Sequence, residues 1–128
     1  MSNKNITTET KNASRALFES YLVDGGATAT LEGKSPVSGF CVAPSKETEE
    51  MVQSPFFNEL RLAQYIEEHR EELELEGNHV GIWEDNNIVY LDIVKVLKSK
   101  ELALRVASMG DQLAIYDIEN ASTIYINN

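Results

Sequence analysis

The chain has 128 residues and a 42% hydrophobic content, the size and composition of one globular domain that needs neither disulfides nor a metal to fold. Its formal charge is −10, from 21 acidic and 11 basic residues. That balance argues against direct binding to nucleic acid, where affinity comes largely from Lys and Arg on phosphates, and against an anionic membrane surface. The lone Cys41 has no partner for an internal disulfide, and no run approaches the roughly 18 apolar residues of a membrane span. With no apolar leader at its N-terminus, the sequence points to a cytoplasmic protein.

Residues 1–11 are polar and aperiodic and read as a disordered tail, leaving 12–128 as a single domain. A short helix over 12–21, with Ala16, Leu17 and Phe18 as its apolar side, stops at Asp24-Gly25-Gly26. Strands over 27–31 and 39–43 read as a hairpin around the turn-forming 32–36, and 44–53 as a polar loop. Ser54-Pro55 has the pattern of a capped helix start, with the helix running to Glu76 and stopping at Gly77. Strands over 80–83 and 88–93 pair across 84–87. Ser99 caps a helix with Leu102, Val106 and Met109 at helical spacing and Gly110 at its end; strands over 112–117 and 123–127 close the chain. The order α-ββ-α-ββ-α-ββ predicts an α+β fold, a small mostly antiparallel sheet with helices packed on one face.

Charge is concentrated in one segment. Between Glu47 and Glu76 there are ten acidic residues against Arg61 and Arg70 alone. On a helical wheel Leu62, Ile66, His69 and Leu73 form an apolar stripe flanked by Ala63 and Tyr65. Glu67, Glu68, Glu71, Glu72 and Glu74 fall on the other side. Like charges four residues apart cost a helix a few tenths of a kcal/mol each, and Glu near a helix C-terminus opposes the macrodipole. A plain solubilising face and a row of carboxylates that engages a basic surface are both consistent with this pattern. The five glutamates are the candidate partner-binding residues.

Catalytic and metal signals are weak. His69 lies in the apolar stripe and His79 beside Asn78; ten residues apart, they match no zinc spacing. Cys41 sits between Phe40 and Val42 in an expected strand, the setting of an inert thiol rather than a nucleophile. Asp92 and Asp117 lie in strands, with no spacing that pairs them. Trp83, Tyr90, Tyr116 and Tyr125 are strand residues without the flanking Lys or Arg of a base-stacking surface. Lys95, Lys98, Lys100 and Arg105 form the single basic cluster. No catalytic residue, cofactor or metal ligand is expected.

Two segments, Gly25–Val52 and Gly77–Glu119, carry recurring motifs: Gly81 and Trp83, then Tyr90-Leu91-Asp92, then Ala103 and Ala107, then Gln112 to Asp117. In that order they resemble small uncharacterised proteins and domains carried by phages and mobile elements of Gram-positive bacteria. The resemblance implies an origin and brings no active site. Acidic phage proteins include inhibitors of CRISPR and restriction nucleases, so it implies a non-enzymatic inhibitor whose partner is a basic host protein, a CRISPR effector or other nuclease. Two alternatives stay open: a phage structural or assembly accessory, and a small enzyme acting on a nucleotide signal through Cys41 or a histidine.

Overall fold

The computed structural model describes residues 6–126. Four helices and seven strands run in the order α1 (Thr8–Asp24), β1 (Gly26–Ala29), β2 (Phe40–Val42), β3 (Glu50–Gln53), α2 (Glu59–Glu68), α3 (Arg70–Leu73), β4 (Asn78–Asp85), β5 (Ile88–Leu97), α4 (Lys100–Met109), β6 (Ala114–Asp117) and β7 (Ser122–Tyr125). All strand pairings are antiparallel, in the order β1-β4-β5-β2-β6-β7. The fold is α+β, as expected from the sequence.

Strand β5 is the spine of the sheet. One edge pairs along its whole length with β4, joined by a two-residue turn in which Asn86 and Asn87 both have positive φ (52° and 66°), a conformation Asn tolerates and a tight hairpin requires. The other edge is shared. Its first half, Ile88 to Leu91, pairs with β3, and its last three residues, Lys95 to Leu97, pair with β2. The stretch read as a polar loop over 44–53 therefore ends in a strand: Val52 is buried opposite Val89 while Met51 and Gln53 face out. A single buried apolar residue among polar neighbours leaves little alternation to see in the sequence.

The expected hairpin between 27–31 and 39–43 does not form. β1 pairs with β4, and β2 lies between β5 and β6. The turn-like 30–34 segment does close a local turn, in which Lys34 donates its backbone N–H to Thr30 Oγ1 at 3.1 Å, but it feeds an excursion rather than a return strand.

Register fixes which side chains share a face. Leu91, Ile93 and Leu97 of β5 lie on the same side as Val80, Ile82, Ala29, Val52, Phe40, Val42 and Ile115. All of the helices cover this side, in two clusters. Leu17 and Tyr21 of α1 and Leu62, Tyr65 and Ile66 of α2 pack on Val80, Ile82, Val89 and Leu91. Ala103 and Ala107 of α4 pack on Val42 and Ile115. A polar seam divides the clusters: Lys95 donates from Nζ to Asn78 Oδ1 at 2.7 Å, and Asn78 donates to the Glu72 carbonyl at 2.7 Å.

The opposite face is concave. Thr28 of β1 and Cys41 of β2 both point to it, and two strands separate theirs. Neighbouring strands lie roughly 4.8 Å apart, so a flat sheet would hold them about 14 Å from one another. Thr28 Oγ1 and Cys41 Sγ are 3.9 Å apart, so the sheet is rolled into a half-barrel.

Several local expectations are corrected. Helix α1 begins at Thr8, capped by Thr7, so residues 8–11 are helical rather than part of a tail; residues 1–5 lie outside the described residues, as does the predicted strand end at Asn127. Its buried side is Thr10, Ala13, Ser14, Leu17 and Tyr21, at helical spacing, while Ala16 faces solvent. In α4 the buried residues are Ala103 and Ala107, whereas Leu102 and Met109 are exposed. Close approach of that helix to β2 and β6 selects small side chains four apart, and Gly110 lies so near the Pro44 carbonyl that a Cβ would sit 2.3 Å from its oxygen.

Candidate functional site

The acidic segment is not one helix. Ser54–Phe56 forms a single 3-10 turn with Pro55 at its start, and the true N-cap of α2 is Asn58, whose Oδ1 accepts from Arg61 N at 2.8 Å. The helix ends at His69 (φ −107°, ψ 22°), which separates α2 from the one-turn α3. Gly77 does take the left-handed conformation (φ 89°), but one turn after α3 has ended. Leu62, Ala63, Tyr65, Ile66 and Leu73 are buried as the apolar stripe predicts.

The break scatters the five glutamates into different environments. Glu67 is half-buried against the start of α1, accepting from Thr7 N at 3.3 Å and Thr7 Oγ1 at 3.4 Å. Partial burial opposes its charge, but bonds from Thr10 and Thr7 and the nearby Arg70 prevail and hold its carboxyl below the usual range. Glu72 accepts or shares a proton with His69 Nδ1 at 2.9 Å. Glu74 pairs with Arg70 at 3.4 Å. Glu68 lies 3.9 Å from His69 Nε2, and Glu71 is exposed with no ion pair among the described residues. Glu76, beyond α3, is exposed as well. Glu68, Glu71, Glu72 and Glu74 are thus each exposed, whereas Glu67 is turned to a structural task.

Both arginines of the segment are committed internally. Arg61 pairs with Glu50 of β3. Arg70, three-quarters buried, donates to Thr7 Oγ1 (2.9 Å), Thr10 Oγ1 (3.2 Å) and Glu9 Oε1 (2.7 Å). Among the described residues neither guanidinium pairs with Glu68, Glu71 or Glu72; Glu74 alone of the exposed four has Arg70 as a partner.

Around His69 the structure assembles a group the sequence could not reveal. His69 Nε2 is 3.9 Å from both Glu50 Oε2 and Glu68 Oε1, and ligand atoms of the three lie within 4.8 Å of one another. These residues could each offer one ligand atom to a divalent ion, with Glu72 fixing the ring through Nδ1. Glu50 already spends an oxygen on Arg61, which weakens the set as a cation site. Glu50 is 19 residues from His69 in sequence, and only the β3–β5 pairing brings them together, so no local spacing could have signalled it.

The concave face holds a second polar group. Asp92 is buried there, 5% exposed, and its Oδ1 has no hydrogen-bond partner among the described residues. Burial, and then the charge of Glu49, push its carboxyl up to about 7. Cys41 shares this face. Burial drives its thiol up to about 12, so it is not a thiolate at neutral pH, and it makes no bond to either histidine among the described residues. Alkylation of Cys41 by iodoacetamide at pH 8 is expected to be at least roughly a hundredfold slower in the folded protein than in urea. Comparable rates in the two states would show an activated thiol instead. Asp117 is bonded by Asn120 at 2.8 Å and faces Phe40 in register, separated from β5 by β2; it does not pair with Asp92.

Trp83 and Tyr90 stack at 4.4 Å with ring planes 15° apart, and Trp83 is 45% exposed, so this pair is a half-open surface rather than core. His79 bonds the Gly77 carbonyl through Nδ1 at 2.9 Å and turns away from any second ligand. Lys95 is tied to Asn78, while Lys98, Lys100 and Arg105 are exposed around the start of α4. No helix among the described residues is long and apolar enough to cross a membrane. Neither protein-family models nor curated protein sequences nor solved structures gave a match to the chain.

Proposed function

We propose that the protein is a non-catalytic, cytoplasmic interaction protein that uses the outer surface of α2 and α3 to engage a basic surface on another protein. The observation that carries this reading is the fate of the two arginines. Arg61 and Arg70 face inward, bonded to Glu50 and to Glu9 and Glu74, so the charge excess of the segment is presented outward through Glu68, Glu71, Glu72 and Glu76. Exposed carboxylates close together in the chain can take the place of phosphates in a nucleic-acid-binding groove, and binding then releases counterions. A partner that handles nucleic acid, such as a host defence nuclease, is the class this surface suits, in line with the inhibitor role that the phage-type resemblance implies.

The test is a pull-down with the wild-type chain and with Glu68→Lys/Glu71→Lys, a double reversal at exposed positions that leaves the inward pairs intact. Nucleic-acid-binding proteins retained by the wild type at low salt, and released both by salt and by the reversal, are the expected result. Retention that ignores the reversal would return these residues to a solubilising role.

A further inference from the structure

On the concave face, successive cross-strand rows bring unlike chemistries side by side. One row is Met51 of β3, Tyr90 of β5 and Trp83 of β4. The next is Asp92 of β5, Gly81 of β4 and Thr28 of β1, with Glu49 immediately before β3 as the carboxylate whose charge Asp92 feels. Asp92 is 95% withdrawn from solvent with an oxygen that no group among the described residues satisfies. A buried acceptor left bare is costly to the fold, a cost that a ligand donor would recover. Beside it, Met51 and Trp83 remain 64% and 45% exposed, leaving apolar surface on this strand row. Aromatic faces next to carboxylates attract cations with apolar stems.

We propose that this face is a second binding site, which takes the side chain of a lysine presented by a protein partner. The ammonium tip docks on Asp92, with Glu49 beside it, and the alkyl stem lies along Tyr90 and Trp83. The floor beside it is closely packed, with Gly81 letting Val94 approach so near that a Cβ would be 3.0 Å from Val94 Cγ1. A protein source fits the exposed Met51 and Trp83, since aromatic and Met side chains form the apolar centre of protein interfaces. The site stands on the other face of the sheet from α2 and α3 and does not depend on the role of their glutamates.

Trp83 is the one tryptophan of the chain, so its fluorescence reports on the row directly. The probe is a short, otherwise neutral peptide with one central lysine, titrated into the wild type, Asp92→Asn and Glu68→Lys/Glu71→Lys; the same peptide with Met for Lys, and cadaverine, are the comparison ligands. The expected result is a saturable change for the lysine peptide that weakens roughly tenfold or more in Asp92→Asn and persists in the helix reversal, with little response to the Met peptide. An unchanged titration in Asp92→Asn, or no saturable response in the wild type, overturns the site. Cadaverine binding as tightly as the peptide overturns the protein source in favour of a free amine. Loss of the response in the helix reversal alone would place the binding on α2–α3 and also overturn it.

Discussion

Asp92→Asn is expected to stabilise the protein at pH 8, by on the order of 3 kcal/mol, and to remove a pH dependence that the wild type should show. The carboxyl of Asp92 is raised from its ordinary 3.8 to about 7, first by burial and then by Glu49. Below pH about 4 both the folded and unfolded chains carry the proton, and Asp92 costs the fold least. Between about 4 and 7 the unfolded chain releases the proton while the folded one keeps it, so folded stability falls as pH rises. Above 7 the folded chain ionises too and the loss is complete. Asparagine keeps the shape and removes the charge, so its stability should be flat across this window as far as this position is concerned. Urea unfolding of both proteins at pH 4.5, 6 and 8 measures the difference. Curves for the two that stay parallel from pH 4.5 to 8 would mean that Asp92 is not held above its ordinary range.

Arg70→Met should have the opposite sign, destabilising by about 2–3 kcal/mol, the range for losing hydrogen bonds to a charged, mostly buried group. Arg70 holds the first turn of α1 to α3: it reaches Thr7, Thr10 and Glu9 on one side and Glu74 on the other. Methionine retains the stem and removes the guanidinium. Glu9, Glu67 and Glu74 would then crowd together with no cation among them, while Thr7, the cap of α1, would lose one of its ties. The loss should appear as a lower urea midpoint and as faster hydrogen exchange in the first turn of α1. It should shrink in 1 M salt, where the leftover glutamates are screened. A loss under 0.5 kcal/mol would show that Arg70 behaves like an exposed surface pair.

The local rules served well where one force acted alone. The pairing of β4 with β5, the Ser99 cap, the alternation of Val89, Leu91 and Ile93, and the buried stripe of Leu62, Ile66 and Leu73 were legible from neighbouring residues, although the turn read over 84–87 is only Asn86-Asn87, Glu84 and Asp85 being paired in the strand. What failed needed distant partners. Strands 26–29 and 40–42 look like a hairpin because a turn-forming stretch joins them, yet each finds a longer, more apolar partner in β4 or β5. The continuous helix over 55–76 satisfied the wheel, but Pro55, the Asn58 cap and the stop at His69 divide it. The same break explains why the five glutamates do not share one role. Glu67 faces Thr7, some 60 residues earlier, and no spacing rule anticipates that contact. Asp92 was visible as an acid in an apolar strand, but its burial follows from the curl of the sheet, which is a property of seven strands together.

Engagement of a basic surface by the outward carboxylates of α2 and α3 should show itself in the salt dependence of binding. For a partner captured by the wild type, affinity is measured from 50 to 300 mM NaCl for the wild type and for Glu68→Lys/Glu71→Lys. The expected result is a linear fall of log affinity with log salt for the wild type, with at least roughly tenfold weaker binding of the reversal at 50 mM and a shallower slope. Equal affinities for the two proteins, with no dependence on salt, would contradict it.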